Sequence, residues 1–368
     1  MSDPLVSLGP VARVRGSFSH VRAALARGRI TVGFLGGSIT AARTGTRWPE
    51  PFLAGLLATY PGLRVVVENA AIGATGSDLA VFRAQRDIIA RGCDLVFVEY
   101  SVNDFDQPTG QRRRTREGLV RQLLAAPCDV VIVHAFRQEM LPDLLAGRLA
   151  ASVAEFEELA AHYDMSSVDM GLHALREVRG GLLKWEEWLP DGLHPEQRGS
   201  LSYAQSVNAF FADALARPAG SAEGRERLSV PLSAGAWERV SFVPFSEVEL
   251  DGPWTVRRWV SDAWIDQVLH CTAQDATLRF KFTGRGLVLG FDFGHASGEI
   301  RYRIDGGAWE QTHRERFAWH GDSGWFRPTL IADDLTTGNH TFELKAIPAL
   351  HAGRVAAGTT VAFFGVMH

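Results

Sequence analysis

The chain has 368 residues, 46% of them hydrophobic and 10% aromatic, with 37 glycines and a formal net charge of −4. That length exceeds what one core usually supports, so two domains are expected, and the apolar fraction excludes a largely disordered protein. The mildly acidic balance gives no electrostatic footprint for nucleic acid or an anionic membrane.

Cys93, Cys128 and Cys271 lie far apart, outside any C-x-x-C pair, and read as buried hydrophobes in a reducing compartment. The N-terminal stretch lacks the basic-then-apolar layout of a secretory signal, and no apolar run reaches the length of a membrane helix. A cytoplasmic protein is expected.

From Arg29 to about Leu215, short apolar runs alternate with longer helical patterns, the form of repeated βαβ units around a parallel sheet. The predicted strands are Ile30–Leu35, Arg64–Asn69, Asp94–Tyr100, Asp129–His134 and Ser167–Met170. Each is nearly continuous in apolar residues, as strands covered on both faces require. Between the last two, Leu149, Val153, Phe156, Ala160 and Tyr163 recur at helical spacing.

The Pro/Gly/Ser-containing stretch from Arg217 to Glu226 marks a break in character. Beyond it the apolar period becomes two: Leu278, Phe280 and Phe282 alternate with Arg279 and Lys281, and Ile300, Tyr302 and Ile304 with Arg301 and Arg303. Turn signals such as Asp305-Gly306-Gly307 separate such runs, predicting an all-β sandwich. The expected division is a first domain over 1–218, a linker over 219–228 and a β domain over 229–368.

In an open parallel sheet, ligands sit at the carboxyl ends of the strands. After the first strand comes Gly36-Gly37-Ser38-Ile39-Thr40, where two glycines permit a tight turn that presents the serine. Alone, the pentapeptide is equally an ordinary serine cap. After the second strand comes Asn69-Ala-Ala-Ile-Gly73-Ala74-Thr-Gly76, and after the third Glu99-Tyr-Ser101-Val-Asn103-Asp104. Exposed backbone N–H groups and an uncharged amide are what an oxyanion hole uses. Before the terminal helix stands Trp185-Glu-Glu-Trp188-Leu-Pro-Asp191-Gly-Leu-His194-Pro195. A serine needs a histidine to accept its proton, and that histidine needs an acceptor on its other nitrogen; Asp191 can fold back to supply it.

Taken together and in this order, the four blocks resemble the SGNH hydrolase superfamily, also called GDSL-like esterases. The resemblance implies a flavodoxin-like three-layer α/β/α fold and ester hydrolysis through an acyl-enzyme, without a cofactor. It makes Ser38 the nucleophile, His194 the general base and then acid, and Asp191 its orienter. The oxyanion donors would be the Ser38 N–H, a backbone N–H of Gly73 or Ala74, with Gly73 preferred, and the Asn103 side chain. Two blocks depart from the pattern: G-D-S is Gly36-Gly37-Ser38, which removes a carboxylate, and the glycine before N-D is replaced by Ser101-Val102.

Trp185 and Trp188 lie near His194, and Trp48 follows the serine loop; indole faces there would suit stacking on sugar rings, although core packing is the default for tryptophan. Seven further tryptophans (Trp237, Trp254, Trp259, Trp264, Trp309, Trp319 and Trp325) fall in the expected β domain, which resembles the jelly-roll modules of carbohydrate esterases. The expected activity is deacylation of a carbohydrate, with an acetylated oligosaccharide as substrate. No apolar lid insertion stands out, which disfavours a lipase. Arg112, Arg113, Arg114 and Arg116 form a basic run beyond Asn103; the default reading is a solvated face, the alternative a site for an anionic acyl group such as succinyl, and Arg43 and Arg47 invite the same question. His134 is expected to be structural, and no metal-ligand spacing is present. A general acyl or thioester hydrolase and a non-catalytic carbohydrate-binding protein are the rival readings, and a homo-oligomer is left open.

Overall fold

The computed structural model describes residues 4–41, 47–218, 228–262, 264–322, 324–351 and 354–368. The chain divides into two compact units, Met1–Glu238 and Arg239–His368.

The first unit is built on a six-stranded sheet. Its strands are β1 (Ala12–Arg13), β2 (Arg29–Gly36), β3 (Arg64–Asn69), β4 (Leu95–Glu99), β5 (Asp129–His134) and β6 (Ser166–Asp169), in the order β1-β6-β5-β4-β2-β3. All pairs are parallel except β1 with β6. The strands β4, β5 and β6 are buried throughout, and β2 is buried from Ile30 onward. The β3 strand, at the edge, is only half covered, because a neighbour lies on one side alone. The two-residue β1 has too little periodicity to be read from sequence.

The helices are α1 (Pro4–Ser7), α2 (Ser19–Ala26), α3 (Pro49–Thr59), α4 (Ser77–Asp87), α5 (Thr109–Leu124), α6 (Leu141–Leu145), α7 (Ala151–His162), α8 (Met170–Arg179), α9 (Trp185–Trp188) and α10 (Gln197–Ala216). On one face of the sheet α10 packs with α3 and α8; on the other α4, α5 and α7 form a layer. This is the predicted α/β/α arrangement. Strand order reverses between β2 and β4, so the loops after these two strands open a crevice at the sheet's carboxyl edge. Among the described residues no helix is long and apolar enough to cross a membrane.

The expected domain division differs from the structural one. Residues 219–227 of the expected linker lie outside the described residues, and residues 228–238 belong to the first unit. They are bound along α5: Glu117 accepts from the backbone N–H groups of Leu232 and Ser233, both at 2.6 Å, and Arg121 donates to Ser229 O and to the Glu238 carboxylate. Trp237 is buried, its ring edge-on to Phe82, and its backbone N–H donates to Arg114 O. A Cβ on Gly118 would come within 2.4 Å of the Trp237 carbonyl carbon, so α5 needs glycine there. The second unit therefore holds six of the tryptophans counted above, not seven.

The second unit is all β. Its strands are β7 (Val240–Phe242), β8 (Glu249–Asp251), β9 (Thr255–Arg258), β10 (Gln267–Cys271), β11 (Thr277–Gly284), β12 (Gly286–Asp292), β13 (Glu299–Ile304), β14 (Glu310–Gln311), β15 (Phe326–Ala332), β16 (Gly338–Ile347), β17 (Ala349–His351), β18 (Arg354–Ala357) and β19 (Thr359–Met367). One sheet runs β15-β12-β19-β10-β9 with β7 beside β19, the other β14-β13-β16-β11-β8. The alternating inward residues meet between them: Leu278, Phe280, Phe282, Phe342 and Leu344 from one sheet, Leu289, Phe291, Val361 and Phe364 from the other. Asp305 and Gly306 both take positive φ, as the predicted turn demands.

Candidate active site

The β2 strand ends at Gly36, and the chain turns at once: Thr40 N–H and Ala41 N–H both donate to Gly37 O. Ser38 is carried on this turn. A Cβ at Gly36 would sit 2.9 Å from Thr40 Oγ1 and 3.1 Å from Glu99 O, and one at Gly37 would fall 1.8 Å from Asn103 Oδ1. Both positions therefore need glycine for close approach rather than for an unusual φ. At the second, any side chain would meet the Asn103 amide as it stands here.

The Asp191–His194 turn brings the other partners. Ser38 Oγ is 2.8 Å from His194 Nε2, and His194 Nδ1 is 2.7 Å from Asp191 Oδ2. An ionised carboxylate only accepts, so Nδ1 carries the proton and Nε2 is left to accept from the serine hydroxyl. Asp191 also accepts from its own turn, from the N–H groups of His194 (2.7 Å) and Leu193 (2.9 Å). Burial alone would raise its pKa, but these bonds and the His194 ring outweigh it and hold the carboxyl below its ordinary value. Gly192, at φ +77°, lets the turn close, and its carbonyl accepts from Gln138 N–H. Arg47 donates to Pro195 O and Glu196 N–H to Trp188 O, fixing the far side of the loop.

Asn103 lies on the loop after β4 with its side chain against Gly37, the residue before Ser38. Gly73, on the loop after β3, stands with the position of a Cβ 3.6 Å from Ser38 Cβ. Its neighbour Ala74 takes φ +59°, a region that favours glycine. The structure thus brings Ser38, Gly73, Asn103, Asp191 and His194 together from four separate loops.

The Asn103 loop is held by buried polar groups that sequence reasoning did not assign. Asp104 accepts from Ser77 N–H and Ser77 Oγ and pairs with Arg116 Nε at 2.8 Å, with both charged groups almost fully buried. Arg116 further donates to Tyr100 O, Ser152 O and Ser152 Oγ. Ser101 Oγ is 2.7 Å from His134 Nδ1, whose Nε2 lies 2.9 Å from Glu157. The His134 ring is therefore structural, as expected. Its signal in sequence was a polar residue closing an apolar strand on the carboxyl edge.

The side chains suggested for substrate contact lie in varied surroundings, and that suggestion is corrected for Trp188. Trp188 is wholly buried, stacked on Phe136 with ring centroids 4.9 Å apart and packed against Gly199; its face is not open to a sugar, and it anchors the His194 loop instead. Trp48 is likewise buried among Phe34, Phe52 and Phe97, with Nε1 donating to Thr40 Oγ1. Trp185 is half-buried beside Phe136 and Trp188. The basic run is not a single solvated face: Arg112 is buried against Glu155 and loop carbonyls, and Arg116 against Asp104, while Arg113 pairs with Glu158. Helical spacing explains this, since 112 and 116 share one face of α5 and 113 does not. Arg43 lies outside the described residues.

Residues 34–200 match the model of the GDSL-like lipase/acylhydrolase family. No curated protein sequence matches the chain. Among solved structures the chain is similar to a two-domain esterase (CEX) active on acetylated mannans, with a TM-score of 0.83, 20% identity and 96% of each chain covered. The same esterase co-crystallised with mannopentaose gives a TM-score of 0.81 at 20% identity and the same coverage. An acetyl xylan esterase variant from Geobacillus stearothermophilus covers 49% of this chain and 94% of its own at 21% identity, with a TM-score of 0.41. The α/β unit, whose residues 34–200 carry the family match, belongs to the GDSL-like, SGNH hydrolase superfamily and is the carboxylic ester hydrolase part of a chain that ends in an all-β unit.

Proposed function

We propose that this protein is a serine esterase that removes acetyl groups from a carbohydrate, with Ser38, His194 and Asp191 as its triad. The observation that carries the reading is the unbroken hydrogen-bond chain from Ser38 Oγ through His194 to Asp191. In the first step Ser38 Oγ attacks the ester carbonyl while its proton passes to His194 Nε2. The resulting oxyanion takes hydrogen bonds from the Ser38 N–H, the Asn103 side-chain amide and the backbone of the Gly73–Ala74 turn. The imidazolium, steadied by Asp191, then gives its proton to the leaving sugar alkoxide. Water, deprotonated by the same nitrogen, attacks the acyl-serine, and collapse returns the serine and releases acetate.

A two-domain esterase that is alike over the whole chain acts on acetylated mannans, which makes acetylated mannan oligosaccharides the first substrates to try. The arginines that would have attracted a succinyl group are largely engaged with carboxylates and loop carbonyls, which favours a neutral acyl group.

The test is Ser38→Ala assayed on an aryl acetate and on acetylated manno-oligosaccharides, with product masses recorded. Turnover is expected to fall by about 10³-fold or more while the far-UV spectrum is kept. Undiminished turnover in this variant would remove the triad. A wild-type protein that binds saccharide but cleaves no ester would favour the carbohydrate-binding reading.

A further inference from the structure

Glu99 is the last residue of β4 and pairs in register with Gly36 on β2, directly beneath the turn that carries Ser38. Its side chain is fully buried. One carboxyl oxygen accepts from Thr40 Oγ1 at 3.3 Å, and that hydroxyl in turn accepts from Trp48 Nε1 at 3.0 Å. Asn69 Nδ2 donates to Thr40 O, so the turn is gripped from β3 as well. The other carboxyl oxygen, Oε1, makes no hydrogen bond among the described residues. Among the described residues no arginine or lysine is paired with Glu99: Arg116 is taken by Asp104. Nothing in the proposed chemistry uses this carboxyl, and ionising it in this buried position is costly.

We propose that Glu99 is a positioning residue for the hydrolysis described above: its side chain supports the Gly37–Thr40 turn from below and so sets where Ser38 stands relative to His194 and Asn103. The inference rests on Ser38 being the nucleophile. The carboxyl works in its neutral form. Burial, outweighing the Thr40 hydroxyl and the Gly37 amide that face it, pushes its pKa up to about 8, with Asp104 raising it further and Arg116 opposing. The other titratable groups beside it, Tyr100 and Tyr203, are pushed upward by burial, away from this range. Above about pH 8 a buried negative charge appears under the loop whose amides must stabilise an oxyanion. Turnover should therefore fall on that side.

The experiment compares wild type, Glu99→Gln and Glu99→Ala on an aryl acetate from about pH 6 to about pH 9.5, with Ser38→Ala as the background rate. Glutamine keeps the neutral shape and an acceptor for Thr40, so Glu99→Gln is expected to hold kcat within about 3-fold at pH 7 and to abolish the alkaline fall. Alanine leaves the turn unsupported, and kcat should drop about 100-fold with KM within about 2-fold. A merely structural glutamate would lower the unfolding temperature without changing the pH profile. The proposal is overturned if Glu99→Gln retains the alkaline fall of the wild type, or if Glu99→Ala keeps wild-type kcat. The pH profile of Glu99→Gln decides by itself should the alanine variant not fold. Activity surviving in Ser38→Ala would instead overturn the triad and leave the Glu99 comparison to be read against another nucleophile.

Discussion

At Gly37 a missing side chain makes room for another residue's amide. The space a Cβ would need is taken by Asn103, so the two positions are coupled across loops that follow different strands. Gly37→Ala should displace the Asn103 amide and lower kcat about 100-fold in a protein that still folds, which steady-state kinetics and circular dichroism would show together. The proposed triad was legible because its chemistry demands particular residue types in chain order. Glu99 was less so: in one dimension it is only a charged residue at the end of the run Leu95–Glu99, and its meaning depends on registry with Gly36. The tryptophans near His194 misled for the opposite reason. Proximity in sequence places an indole near the site but does not say which way its ring faces, and Trp188 faces the core.

At the scale of elements, the loop after β4 and helix α5 act as one piece, joined by the buried Asp104–Arg116 pair and by Ser77 at the start of α4. Removing one partner of a buried pair leaves the other uncompensated, so Asp104→Ala should cost about 3–5 kcal/mol of stability, measured by urea unfolding. The predicted strands agree with the observed ones to within a residue or two because buried parallel strands are continuous apolar runs. Helix α5 was harder, since its charged residues Arg112, Arg116, Glu117 and Arg121 are buried and a polar sequence reads as a solvated face. What resolves them is partners outside the helix, among them Glu155, Asp104 and Glu238.

At the scale of the whole molecule, the composition break and the structural boundary do not coincide. The change in period was legible after residue 217, yet the first unit continues to Glu238. Its last segment has no periodicity of its own and is held by α5, which is why sequence pattern could not assign it. Trp237 is the apolar anchor of that segment, and Trp237→Ala should destabilise the first unit by about 3–5 kcal/mol in thermal or urea unfolding.

Residues 228–238, a strap over α5, bear on how such a protein can be recombined. A crossover in the Pro/Gly/Ser stretch would leave the α/β unit without the residues that cover α5 and hand them to whatever domain is fused next. The breakpoint that keeps both partners whole lies between Glu238 and Arg239. A family that shuffles its β modules through that junction would inherit the strap with the hydrolase, not with the module.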